Sequence, residues 1–100
     1  KMIPACWQDE NLFALEVRGD SMVDAGIHNG DYVIIRPAQT AQDGDMCVVW
    51  INEREPTLKY FYREKTCIRL EAANAEIAPR YIGPPNTVRI EGIVVLVVRL

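Results

Sequence analysis

Ser21 and Lys59, a hydroxyl and an amine 38 positions apart, are the two side chains in this sequence whose surroundings suit covalent chemistry. Ser21 lies in the run Arg18-Gly19-Asp20-Ser21-Met22, where the glycine allows a tight backbone turn. Sharp turns expose a side chain while neighbouring N–H groups converge on one point, which is the geometry of an oxyanion hole. An Asp-Ser pair in a turn also serves as a plain side-chain-to-backbone cap, and the run by itself does not separate the two roles. A serine hydroxyl becomes a nucleophile only when a base takes its proton. His28 is the only histidine, and Asn29-Gly30 beside it reads as turn chemistry, which leaves a histidine triad one narrow route. Lys59 offers a second route, because in Thr57-Leu58-Lys59-Tyr60-Phe61-Tyr62 it alternates onto the side of Phe61 among apolar and aromatic neighbours. An amine held in an apolar cleft has its charged form disfavoured and titrates below its reference of about 10.4. Lys65 follows Glu64 at a strand end and Lys1 is terminal, so neither fits this role as well.

The elements that must position this pair read as strands. β-branched and aromatic residues cluster in short runs, with Gly, Asn, Asp or Pro between them. Residues 13–18 put Phe13, Leu15 and Val17 on one face, the period-2 pattern of a half-buried strand. Further strands are expected over residues 32–36, 46–51, 57–63, 66–71 and 88–98, with residues 52–56 turning the third into the fourth as a hairpin. Residues 74–86 read as a loop. The last strand begins as an alternating one and then turns apolar on both faces, which requires cover on both sides from the domain itself or from a second copy. No helix of ten or more residues, internal repeat or low-complexity linker is evident. The expected fold is mostly β, with strongly curved antiparallel sheets, in one domain over residues 1–100.

With 14 acidic and 11 basic side chains the formal charge is −3, so the cationic excess that draws proteins to phosphate backbones is missing and direct DNA binding by this domain is not expected. Neither a run of about 18 apolar residues nor the apolar core of a signal peptide is evident, so no membrane association is expected. Cys6, Cys47 and Cys67 are odd in number and form no close Cys-x-x-Cys pair, which fits idle thiols in a reducing, cytoplasmic setting; no metal or cofactor is expected.

Gly19-Asp20-Ser21-Met22, then Gly30-Asp31-Tyr32-Val33-Ile34-Ile35, then Thr57-Leu58-Lys59, and finally Ile90-Glu91-Gly92 before a hydrophobic strand, stand in order and spacing as four motifs. Together they resemble the C-terminal domain of LexA-type repressors and their UmuD-like and phage-repressor relatives, from about residue 12 to residue 100. The resemblance implies a curved β fold whose Ser-Lys dyad performs self-cleavage. Carried onto this chain, Ser21 is the nucleophile, Lys59 the general base, and the amides of Asp20 and Ser21 the oxyanion donors, an alternative to the histidine triad. It further implies a substrate in the protein's own preceding segment, a homodimer formed through the C-terminal strand, and activation by a RecA filament on single-stranded DNA. Burial of Lys59 beneath the cleavage-site loop would favour its neutral form and switch the serine on. The family's Ala-Gly or Cys-Gly cleavage pair, some thirty residues before the serine, and any N-terminal DNA-binding domain are expected to lie outside residues 1–100. An UmuD-like accessory fragment of a translesion polymerase and an inert dimerisation module are the alternatives, and a membrane signal peptidase, which shares the Ser-Met and Lys pattern, lacks an evident anchor here.

Overall fold

The computed structural model describes residues 11–100, so Lys1 and Cys6 lie outside the described residues. Seven antiparallel strands form one sheet: β1 (Phe13–Glu16), β2 (Tyr32–Pro37), β3 (Met46–Ile51), β4 (Pro56–Arg63), β5 (Ile68–Glu71), β6 (Arg80–Ile82) and β7 (Val88–Val98). Their order across the sheet is β1-β2-β7-β3-β4-β5-β6. The mostly β, antiparallel expectation holds. The helical content of the described residues is one 3₁₀ turn, Val23–Ala25.

β6 corrects the reading of residues 74–86 as a loop. It has three residues between Pro79 and Gly83, and its extended form comes from pairing with β5, Leu70 opposite Arg80 and Ile68 opposite Ile82. The expected hairpin is β3–β4, in register from Met46 opposite Tyr60 to Trp50 opposite Pro56. Its turn puts Asn52 and Glu53 at φ of 55° and 56°, the left-handed pair that matches strand twist. The cost for two non-glycine residues is met locally: Asn52 Oδ1 accepts the Thr87 N–H at 2.9 Å, and the Glu53 carboxylate accepts Arg89 Nε at 2.8 Å.

The sheet is covered on both faces. Cys47, Val49, Phe61, Leu70, Ile82 and Ile90 form one buried cluster, and Met22, Ile27, Val33, Ile35 and Val48 form the other. Consecutive residues of β3 therefore serve opposite faces, as expected of a strand buried on both sides. On β1, Phe13 and Leu15 pack on the second cluster together with Val17, as their alternation predicts. The two-faced apolar end of β7 has a geometric cause. β7 carries one extra residue where β3 steps from Val48 to Val49 and another where β2 steps from Ile34 to Ile35. Each bulge bends the strand and resets its alternation. As a result Ile90 and Ile93, three positions apart, both pack on the first cluster, ordinary alternation then puts Val94 on the second, and this chain itself supplies cover for both.

Candidate active site

The residues 19–31 between β1 and β2 carry Ser21. Gly19 opens the turn at φ +85° with no atom within 4 Å of where a Cβ would stand, so backbone conformation alone explains a glycine there. Met22, 1% exposed, then plugs the second cluster, and this anchor fixes the serine beside it. The far end of the segment is tied by Asp31, 3% exposed. Its carboxylate takes a two-pronged contact from Arg99, Nε and Nη2 each at 2.9 Å, and the His28 main-chain N–H at 2.8 Å. The same guanidinium donates to the Gly26 carbonyl at 2.9 Å. The Arg99 guanidinium, and after it the His28 N–H, hold the Asp31 carboxyl down at about 2, so it stays charged at neutral pH.

Lys59 arrives from β4. β5 pairs with β4 only from Tyr60 to Arg63, so among the described residues the outer edge of β4 at residues 57–59 has no strand beside it. The serine turn enters at that edge. Lys59 Nζ donates to Ser21 Oγ at 3.3 Å and to Thr57 Oγ1 at 2.9 Å. Both sequence-predicted side chains are thus together, half-buried, in a cleft of about 470 Å³ whose lining includes Leu15, Val17, Met22, Val33 and Leu58. Removal from water, and after it the positive charge of Arg80, lower the Lys59 pKa from the ordinary lysine value, the direction a general base requires. The amides of Asp20 and Ser21 donate to no group among the described residues, which leaves both N–H groups available to a ligand.

The other sequence candidates lie elsewhere. His28 is exposed and contributes its main chain, while Lys65 is exposed at the β4–β5 connection. Burial pushes the Cys47 thiol up to about 12, so it is not a nucleophile near neutral pH. No group of three His, Cys, Asp or Glu able to hold a metal lies among the described residues, and no helix there is long and apolar enough to cross a membrane. Sequence reasoning did not assign Thr57 as a partner of the amine. The signal was available, since period-2 alternation puts residues 57 and 59 on one side of a strand. It also missed Arg80 and Asn74, which lie in the segment read as a loop, and the Asp31–Arg99 pair, whose members are 68 positions apart.

A hydroxyl within reach of a half-buried amine, beside unsatisfied amides, can perform nucleophilic acyl transfer. Comparison with known proteins points the same way. Residues 1–95 match the family model described as Peptidase S24-like. Over 72 residues the chain is 50% identical to the LexA repressor of Novosphingobium aromaticivorans, a match covering 72% of this chain and 31% of that repressor. The chain spans about a third of the curated relative it matches. Given a family match that reaches every strand of the sheet and a repressor sharing half of the aligned positions, this chain belongs to the Peptidase S24-like family, as a C-terminal domain of the LexA type.

Proposed function

We propose that this chain is the self-cleaving serine peptidase and dimerisation domain of a LexA-like transcriptional repressor. The observation that carries the reading is the 3.3 Å contact between Lys59 Nζ and Ser21 Oγ at a half-buried cleft. Lys59 in its neutral form takes the hydroxyl proton as Ser21 Oγ bonds to the carbonyl carbon of a peptide in the protein's own preceding segment. The amides of Asp20 and Ser21 receive the charge that develops on the carbonyl oxygen. The C–N bond then breaks, the leaving nitrogen takes the proton back from Lys59, and water hydrolyses the resulting ester. Thr57 Oγ1, 2.9 Å from the amine, restricts where Nζ can point.

The similarity to a LexA repressor supports a transcriptional repressor as the parent over an UmuD-like fragment. In such a parent, cleavage separates the DNA-binding part from this one in a DNA-damage response, and a RecA filament on single-stranded DNA is the activator in the cytoplasm. Val97, exposed by 37% near the end of β7, supports a homodimer formed through that strand.

Peptides with a central Ala-Gly or Cys-Gly bond, supplied in trans at mildly alkaline pH, test the chemistry. Cleavage is expected to rise with pH as Lys59 loses its proton, and to disappear in both Ser21→Ala and Lys59→Ala. Turnover by either variant equal to that of the unaltered chain refutes the dyad.

A further inference from the structure

Residues 20–24 of the serine turn are stitched to residues 73–75, the start of the β5–β6 connection, by contacts that the dyad does not explain. The Asp24 N–H donates to the Ala73 carbonyl at 2.7 Å, the Ala75 N–H to Asp24 Oδ2 at 3.0 Å, and the Ala73 N–H to the Met22 thioether at 3.4 Å. The contact nearest the chemistry is made by Asn74, whose Nδ2 donates to the Asp20 carbonyl at 3.0 Å across 54 positions of sequence.

That carbonyl belongs to the peptide whose nitrogen is the Ser21 amide. A trans peptide unit is planar, with its C=O and N–H directed oppositely, so fixing one fixes the other. The Asp20 oxygen also accepts the Val23 N–H at 3.3 Å, and two donors on one oxygen leave the plane little freedom to rotate. The Ser21 N–H is thereby turned away from Asn74 and bonds nothing among the described residues. Asn74 is itself held: its Oδ1 accepts the Glu76 N–H at 2.9 Å, and its main-chain carbonyl accepts the Ile77 N–H at 3.0 Å. With Oδ1 committed to an N–H, the amide group presents Nδ2 to Asp20.

We infer that Asn74 is a positioning residue for the reaction, its side-chain amide holding the Asp20 carbonyl so that the Ser21 N–H is aimed at the oxygen that gains charge during acyl transfer. The inference rests on the peptidase reading above. The Asn74 side chain bonds the Asp20 carbonyl and the Glu76 N–H, not Ser21 Oγ or Lys59, so it acts through one peptide plane.

Two variants isolate the donor. Asn74→Asp retains an oxygen for the Glu76 N–H and lacks the donor. Asn74→Ser keeps a hydroxyl that can accept the same N–H and is too short to reach Asp20. Both are compared with the unaltered chain and Ser21→Ala on a quenched-fluorescence peptide with a central Ala-Gly bond, across pH, alongside thermal melts. The expected result is a kcat lower by about 10–100-fold, short of the loss on deleting an oxyanion donor outright. KM stays within about twofold, since the lost interaction belongs to the transition state. The midpoint of the pH profile stays in place, because the base is untouched.

Folded variants with unaltered kcat overturn the positioning role while Ser21→Ala, inactive beside an active parent, leaves the peptidase reading standing. A shifted pH midpoint or a raised KM overturns it too, by placing the effect on the base or the cleft. Equal turnover by the unaltered chain and Ser21→Ala removes both readings. Loss of the fold in both Asn74 variants makes the residue structural and overturns the proposal.

Discussion

Replacing Gly92 by alanine tests whether the centre of the sheet is as closely packed as the structure requires. A Cβ on residue 92 would stand 2.4 Å from Ile35 Cγ2, 2.6 Å from the Arg36 carbonyl oxygen and 3.1 Å from the Arg36 carbonyl carbon. Carbon atoms prefer separations of about 3.5–4.0 Å, so the first contact is short by at least about 1.1 Å. Ile35 is fully buried, with no space to turn into, and the Arg36 atoms are main chain of the adjacent strand. β7 must therefore draw away from β2. Overpacking of a closed core costs about 1–3 kcal/mol, and a main-chain neighbour that cannot rotate away puts Gly92→Ala near the top of that range, about 3 kcal/mol. For a domain of this size the melting temperature should fall by about 12–24 °C. Thermal and guanidinium denaturation followed by circular dichroism measure it. A double-mutant cycle then identifies the cause: Ile35→Ala alone should cost about 2–5 kcal/mol, but it removes the clashing methyl, so the pair should be less destabilised than the sum by at least about 1 kcal/mol. A Gly92→Ala protein melting within about 4 °C of the parent, or strictly additive changes, refutes the close approach.

Two further predictions concern charge. Lys59 titrates below the ordinary lysine range because of burial first and Arg80 second, so between its folded and unfolded midpoints the unfolded chain binds more protons and stability climbs with pH. Lys59→Met should abolish cleavage yet melt above the parent at pH 7, with the gap narrowing as pH rises through the lysine's folded midpoint; a gap independent of pH between 7 and 10.5 counts against a desolvated amine. Asp31 titrates near 2 instead of the ordinary 3.8, so its stabilising effect is complete above 3.8 and fades as pH falls through about 2. Asp31→Asn should melt below the parent at pH 7, and acid titration of both should close the difference over that window; an unchanging difference refutes a charge-based role.

How much of this was legible in the sequence follows from the range over which each interaction acts. Alternation within a strand is local, so Phe13, Leu15 and Val17 announced their shared face, and the polar 52–56 turn announced the β3–β4 hairpin. The first strand was read to residue 18 and stops at Glu16, although Val17 still bonds to Asp31 through its main chain at 2.7 Å. β6 stayed hidden because three residues carry no period, and their conformation is imposed by β5. Within the site, Ser21 and Lys59 were visible from residue type and four motifs in register, and the structure brings them to 3.3 Å. Asn74 and Arg99 were not visible. Each acts on the serine turn from more than 50 positions away, and an asparagine or arginine outside a motif carries no local mark of its partner.

The order of the strands also bears on when Ser21 and Lys59 can meet within the complete sheet. β2 and β3 follow one another along the chain but are not hydrogen-bonded neighbours; β7, made last, lies between them. Until β7 inserts, the sheet consists of two separate ribbons, with the turn bearing Ser21 attached to one and Lys59 carried by the other. A ribosome adding about 5–20 residues per second needs roughly 2–8 s to go from Lys59 to Val98, so both ribbons are made before the strand that joins them in the sheet. The meeting of Ser21 and Lys59 within the complete sheet thus depends on the last of these strands to be made, a timing that resides in topology.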